Sequence, residues 1–241
     1  MTAARRRALL ILIVLAVAAG ALAFAASRRE PPPSRPPAQR PPLMLLTSLP
    51  LLFGEEFSLK GGGSPALERL ETRYRVIPIS VSSAPELSRG RLLLMAQPLA
   101  QAPENLVALD TWVRGGGRVL LLADPMLEWP SKRPLGDALR PPPMFADTGL
   151  LAHWGLRLDA PDRREPVKAR LGGFEVLAFS AGRLFGGCQI STDRLVARCR
   201  IGRGEAIIVA DADFIGTDRL GGDASHNFDG LLVELARLEQ K

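Results

Sequence analysis

One stretch restricts the fold more than any other. Leu92-Leu93-Leu94-Met95 is an uncharged apolar run followed by Gln97-Pro98. Pro103 then opens a segment in which Leu106, Leu109, Trp112 and Val113 fall on one helical stripe. Gly115-Gly116-Gly117 stops it, and Val119-Leu120-Leu121-Leu122 is a second apolar run ending at Asp124-Pro125. Short runs that are apolar on both faces suit strands covered on both sides. Strand, helix and strand joined this tightly make a right-handed βαβ crossover with parallel strands.

The neighbouring sequence repeats the pattern. Leu43-Met44-Leu45-Leu46 reads as a buried strand. Ser64-Pro65, an N-cap followed by proline at the first helical position, opens a helix carrying Leu67, Leu70 and Tyr74. Residues 75–79 read as an edge strand, because Pro78 cannot donate to a ladder. This alternation predicts an α/β domain over residues 43–241, with a doubly wound, mostly parallel sheet. Residues 126–173 carry Pro130, Pro134 and Pro141-Pro142-Pro143 and show no sustained period. They suit a lid, an insertion or a long surface loop, with a short helix near 149–154. Past Phe174 come short strands: 174–179, 187–191, 195–201 and 205–210. Leu195, Ala197, Cys199 and Ile201 alternate with Arg198 and Arg200, the pattern of a half-exposed antiparallel hairpin. Residues 227–238 place Phe228, Leu231, Leu232, Leu235 and Leu238 on one stripe of a terminal helix.

Residues 8–26 hold no charge, and as a helix they would span roughly 28 Å, about the thickness of a bilayer's apolar core. The expectation is a tail over 1–7 and a transmembrane helix over 8–26 in the inner membrane. A secretory signal peptide is the rival, with Ala21-Leu22-Ala23 and Ala23-Phe24-Ala25 as cleavage points. Residues 27–42 form a proline-rich linker that extended chain would stretch to roughly 50 Å. Arginines flank the apolar run on both sides, so orientation rests on the habit of long C-terminal domains to translocate, and the domain is expected to be periplasmic.

The net charge of +6 belongs to the N-terminal region. Residues 1–42 carry seven arginines and one acid, whereas 43–241 hold 24 basic and 24 acidic residues. A neutral domain gives no global reason to expect nucleic acid as a partner. The two cysteines, Cys188 and Cys199, fall opposite each other if a hairpin turns between Asp193 and Arg194. That spacing admits a disulfide in an exported protein and equally two small buried hydrophobes.

The stretch from Arg91 to Pro98, with Leu109-Asp110-Thr111-Trp112-Val113-Arg114-Gly115-Gly116-Gly117-Arg118-Val119-Leu120-Leu121-Leu122-Ala123-Asp124-Pro125, resembles the extracytoplasmic domain of gliding-motility-type ABC transporter auxiliary proteins and related membrane-anchored bacterial proteins. A second similar block is Gly204-Glu205-Ala206-Ile207-Ile208-Val209-Ala210-Asp211-Ala212-Asp213-Phe214, followed by Asn227. Residues 126–203 match nothing in that family. The resemblance implies a flavodoxin-like, class I glutamine-amidotransferase-like fold used for binding or assembly, with an ABC permease and ATPase pair as partners. In amidotransferases of that fold a nucleophilic cysteine follows the strand equivalent to 119–122. Here Asp124-Pro125 stands in its place.

Other chemistry is sparse. The chain has no G-x-S-x-G, no phosphate-binding loop and only two histidines, His153 and His226. Polar residues gather at expected strand C-termini, namely Ser48, Gln97, Asp124, Asp211 and Asp213, the edge where open parallel sheets bind ligands. Asp211 and Asp213, with His226, Asn227 and Asp229, could form a cation or polar-ligand site. The favoured reading is helix capping and loop fixing, with no metal. The resulting expectation is a non-enzymatic binding component that uses no cofactor. The alternatives are an envelope hydrolase acting through strand-end carboxylates and a purely structural envelope protein.

Overall fold

The computed structural model describes residues 30–53, 63–216 and 226–240. The first half alternates strand and helix: β1 (Pro42–Thr47), α1 (Pro65–Glu71), β2 (Arg75–Pro78), α2 (Ala84–Leu87), β3 (Leu92–Ala96), α3 (Pro103–Arg114) and β4 (Arg118–Leu122). Ser64 caps α1 by accepting from the Leu67 N–H at 3.1 Å. Leu43–Leu46, Leu92–Ala96 and Val119–Leu122 are buried. Gly116 ends α3 with φ +113°, and a side chain at Gly117 would run into the Trp112 ring.

The second half contains α4 (Leu150–His153), β5 (Leu156–Asp159), β6 (Pro166–Leu171), β7 (Phe174–Phe179), β8 (Arg183–Gly186), β9 (Gln189–Ile190), β10 (Val196–Ile201), β11 (Gly204–Val209) and α5 (Asn227–Glu239). The main sheet has seven strands in the order β2-β1-β3-β4-β11-β10-β9. The first five of these run parallel, while β10 is antiparallel to both of its neighbours. Two ribbons stand apart, β5 with β8 and β6 with β7, each antiparallel.

These strands correct the expectation of a doubly wound, mostly parallel, flavodoxin-like sheet carrying one late hairpin. The sheet is mixed, and strands outside it build two sheets of their own. From β5 to β11 the strands follow one another through links without a helix, so β10 pairs antiparallel with its sequence neighbours β9 and β11, and only β11 returns to lie parallel beside β4. The strand expected at 174–179 belongs to a ribbon with β6, which turns at Gly172 and Gly173 with φ +59° and +93°.

The placement as a single-pass inner-membrane protein is also corrected. Among the described residues no helix is long and apolar enough to cross a membrane. The segment 8–26 lies outside the described residues. Part of the proline-rich stretch is fastened to the domain: the Arg35 N–H donates to the Thr72 carbonyl at 2.8 Å, and Arg73 donates to the Pro33 carbonyl at 3.0 Å.

The helix α5 is buried almost all round, from Phe228 to Leu238. It packs on β4 and is covered by the β6–β7 ribbon. Gly230 permits this, because a side chain there would strike the Leu171 backbone. The buried Glu234 fixes the third side by pairing with Arg198 of β10 and accepting the Gly172 N–H at 3.1 Å. Each fully buried leucine or phenylalanine on this helix is worth about 1.5–3 kcal/mol of apolar burial.

Candidate functional site

The C-terminal edge of the parallel strands gathers all five strand-end residues into one hydrogen-bonded array. Ser48, just past β1, donates its hydroxyl to the Gln97 carbonyl. Gln97, just past β3, accepts the Asp124 N–H at 3.0 Å and donates to the Asp124 carbonyl at 3.2 Å. Its amide also donates to the Pro142 carbonyl at 3.2 Å. Asp124, Asp211 and Asp213 then converge, with one carboxylate oxygen from each within 4.8 Å of the others. Asp124 follows β4, and Asp211 and Asp213 follow β11, so the parallel pairing of these two strands brings the carboxylates together. Gln97, Asp124 and Asp211 are wholly enclosed and Asp213 nearly so.

The carboxylates are engaged by backbone amides. Asp124 accepts the Met126 N–H at 2.8 Å on one oxygen and the Ala212 N–H at 2.9 Å on the other. Asp211 accepts Phe179 at 2.6 Å and Phe214 at 3.1 Å. Asp213 accepts Glu128 at 2.6 Å. Three carboxylates in one buried corner cannot all carry charge at ordinary cost. Burial pushes the Asp124 carboxyl up to about 7 against the stabilising Ala212 N–H, and the nearby Asp213 charge pushes the same way. Burial, then the charges of Asp124 and Asp213, push Asp211 well above the usual carboxylate range.

Two residues that the sequence did not single out complete the array. Glu128 supplies its N–H to Asp213, and its carboxylate accepts the Ser180 hydroxyl at 2.5 Å. Gln97 and Ser180 both hold left-handed backbone, φ +44° and +47°. Such conformations in residues other than glycine cost energy and persist where surrounding bonds over-determine them. Their polar character was visible, but nothing in the aperiodic stretch around Glu128 announced its position.

His226, Asn227 and Asp229 lead elsewhere. Asp229 pairs with Arg69, and His226 lies 3.3 Å from Asp229 and stacks on Phe174. Asn227 serves β7 as a substitute neighbouring strand, exchanging 2.8 Å bonds with both the N–H and the carbonyl of Leu177.

Three convergent carboxylates are the donor set of a hard divalent cation. Here each oxygen of Asp124 and of Asp211 already accepts one N–H, which holds residues 126, 179, 212 and 214 in place and leaves each oxygen a single lone pair. What the described bonds show is a cradle for backbone amides. The segment 125–149 closes over it: Phe145 donates to the Asp124 carbonyl at 2.6 Å and Leu127 to the Pro143 carbonyl at 2.9 Å. Cys188 and Cys199, on the far edge of the sheet, form a disulfide with a Cα separation of 4.9 Å.

No family model and no curated protein matches the chain. Among solved structures, the mmIFT52 N-terminal domain superposes with a TM-score of 0.56 at 12% identity, covering 81% of this chain and 96% of that one. The exo-beta-1,4-mannosidase Op5Man5 from Opitutaceae bacterium strain TAV5 gives a TM-score of 0.49 at 14% identity over 83% of this chain. Cytoplasmic Protein STM1381 from Salmonella typhimurium LT2 also gives 0.49, at 11% identity, over 82% of this chain and 99% of that one. The chain spans only 36% of the mannosidase's length. The first of these likenesses shows a shared fold alone, and the other two carry no argument.

Proposed function

We propose that this chain is a non-enzymatic binding component, with an ABC-type permease and ATPase pair as its partner class. One observation carries the non-enzymatic part: at the strand edge where open parallel sheets place their chemistry, the polar side chains are enclosed and occupied by backbone amides. A reacting group must reach substrate, and a carboxylate buried against two N–H donors does not. Support for the partner class is the sequence likeness of residues 91–125 and 204–214, which form the adjacent strands β3, β4 and β11.

Affinity purification of the tagged full chain from a mild-detergent extract tests the partner class. The permease and ATPase should be recovered together with it, and repeated recovery of the chain alone removes that part of the proposal. Asp124→Asn and Asp213→Asn test the rest. Variants that stay folded should retain whatever partner the native chain retains, whereas loss of function without loss of folding returns these carboxylates to catalysis.

A further inference from the structure

The neutrality of residues 43–241 conceals a division of charge. Residues 157–203, which build both ribbons together with β9 and β10, contain ten basic and five acidic side chains. Residues 43–156 and 204–241 together contain fourteen basic and nineteen acidic ones. Two of these arginines flank one aromatic ring. Phe185 of β8 lies opposite Arg157 of β5 in register, and the Arg157 guanidinium sits 4.8 Å from the ring centroid. Arg194, from the turn between β9 and β10, sits 4.3 Å from the same centroid. It approaches from the other flank of β8, where its carbonyl accepts the Leu184 N–H at 2.9 Å. Arg183 lies two residues before Phe185 and so on the same face of the ribbon.

This cluster is built, not accidental crowding. Arg194 holds a left-handed backbone, φ +60°, which few residues other than glycine adopt. Its turn is braced by Ser191 donating to Asp193 at 2.5 Å and by the Leu195 N–H donating to the same oxygen at 3.2 Å. The Cys188–Cys199 disulfide closes the hairpin below it. A guanidinium lying on a ring keeps its N–H edge available for a carboxylate, and Arg157 already holds Asp159 in this way, through Nε at 3.0 Å. Arg194 has no carboxylate partner among the described residues. Arg183 forks onto the exposed Asp162 at 2.8 and 2.9 Å, while its Nε is enclosed without an acceptor.

We infer that the outer face of the β5–β8 ribbon docks a short acidic segment of another polypeptide, with Arg157, Arg183 and Arg194 binding its carboxylates around Phe185. Arginine and aromatic residues together are the composition of interface anchors. Charge favours a short segment over a long polyanion, because the remainder of the domain is net acidic and repels what extends beyond the ribbon. A nucleic acid is disfavoured twice, by that repulsion and by a disulfide in the same hairpin, which persists in oxidising surroundings. The inference rests on the binding reading above only in treating the domain as a binder, and not on the identity of any transporter.

Fluorescence anisotropy on the full chain tests it, with a labelled peptide of about a dozen Asp, Glu and Leu residues, long enough to cross a two-stranded ribbon. The peptide should bind at low salt and weaken as salt rises. An Arg157→Glu/Arg194→Glu double variant should lose at least tenfold in affinity, and Arg75→Glu, on the exposed opposite edge of the sheet, should lose little. Arg157→Gln alone, checked for an unchanged melting temperature, separates lost contacts from lost folding and should also weaken binding. Absence of peptide binding overturns the inference, as does an equal loss in the Arg75 variant. Equal or tighter binding of an oligothymidylate of the same length overturns it in favour of nucleic acid. Because the peptide assay contains no transporter, it can succeed or fail independently of the purification experiment.

Discussion

Asp124 and Asp211 retain protons at a pH where the same side chains in an unfolded chain have lost them. The unfolded value is near 3.9, and the folded value of Asp124 is about 7, with Asp211 raised as well. The contribution of Asp124 to stability is therefore complete below about pH 4 and is lost as pH rises towards about 7, and that of Asp211 is lost in the same direction. Urea midpoints should fall between pH 5 and pH 8, and Asp124→Asn, which cannot acquire the charge, should flatten that slope. A native midpoint that rises across this interval would contradict the raised carboxyl values. These residues were legible in the sequence because strand C-termini announce themselves: an apolar run stops and a polar residue follows. Glu128 and Ser180 were not, because a segment broken by prolines has no period from which to place a side chain.

At the scale of elements, local grammar was readable and pairing was not. The apolar runs at 43–46, 92–95 and 119–122 became strands, and the prolines and glycines around them set their limits. Partnership depends on contacts distant in sequence. The ribbon of β5 and β8 encloses the whole of the β6–β7 ribbon within its connection, so no local pattern could reveal that Arg157 meets Phe185. Alternation of Val167, Ala169 and Leu171 with Lys168 and Arg170 was the missed signal for β6. The disulfide belongs to this scale too. It joins Cys188, beside the two-residue β9, to Cys199 of β10, residues directly opposite each other in the register. Replacing both cysteines by serine should destabilise the domain by about 2–3 kcal/mol, the closure entropy of so short a loop. Chemical denaturation under oxidising and reducing conditions measures it: the native chain should lose that amount on reduction and the double variant nothing.

At the scale of the whole domain, the decisive contacts join the segment before β1 to the terminal helix. Glu239 at the end of α5 binds Arg35 at 2.6 Å and Arg73 at 3.2 Å, with the Tyr74 hydroxyl at 3.4 Å. Burial drives the Tyr74 pKa up to about 12 despite the neighbouring Arg73. Tyr74 is the only tyrosine, so ultraviolet titration reads it directly. Phenolate should form near pH 12 in the native chain and near 10 in urea. The associated stability is present below pH 10 and lost as pH approaches 12. A native midpoint near 10 would show that the clasp is open in solution.

The position of α5 bears on how the chain is made. An emerging polypeptide that stops short of Asn227 has a sheet and a ribbon with nothing to lay between them, and both would turn bare leucines and valines to water. A chain cut before Asn227 should therefore be recovered with chaperones or in the pellet, and a soluble, folded truncation would show that the sheet and ribbon close without the helix.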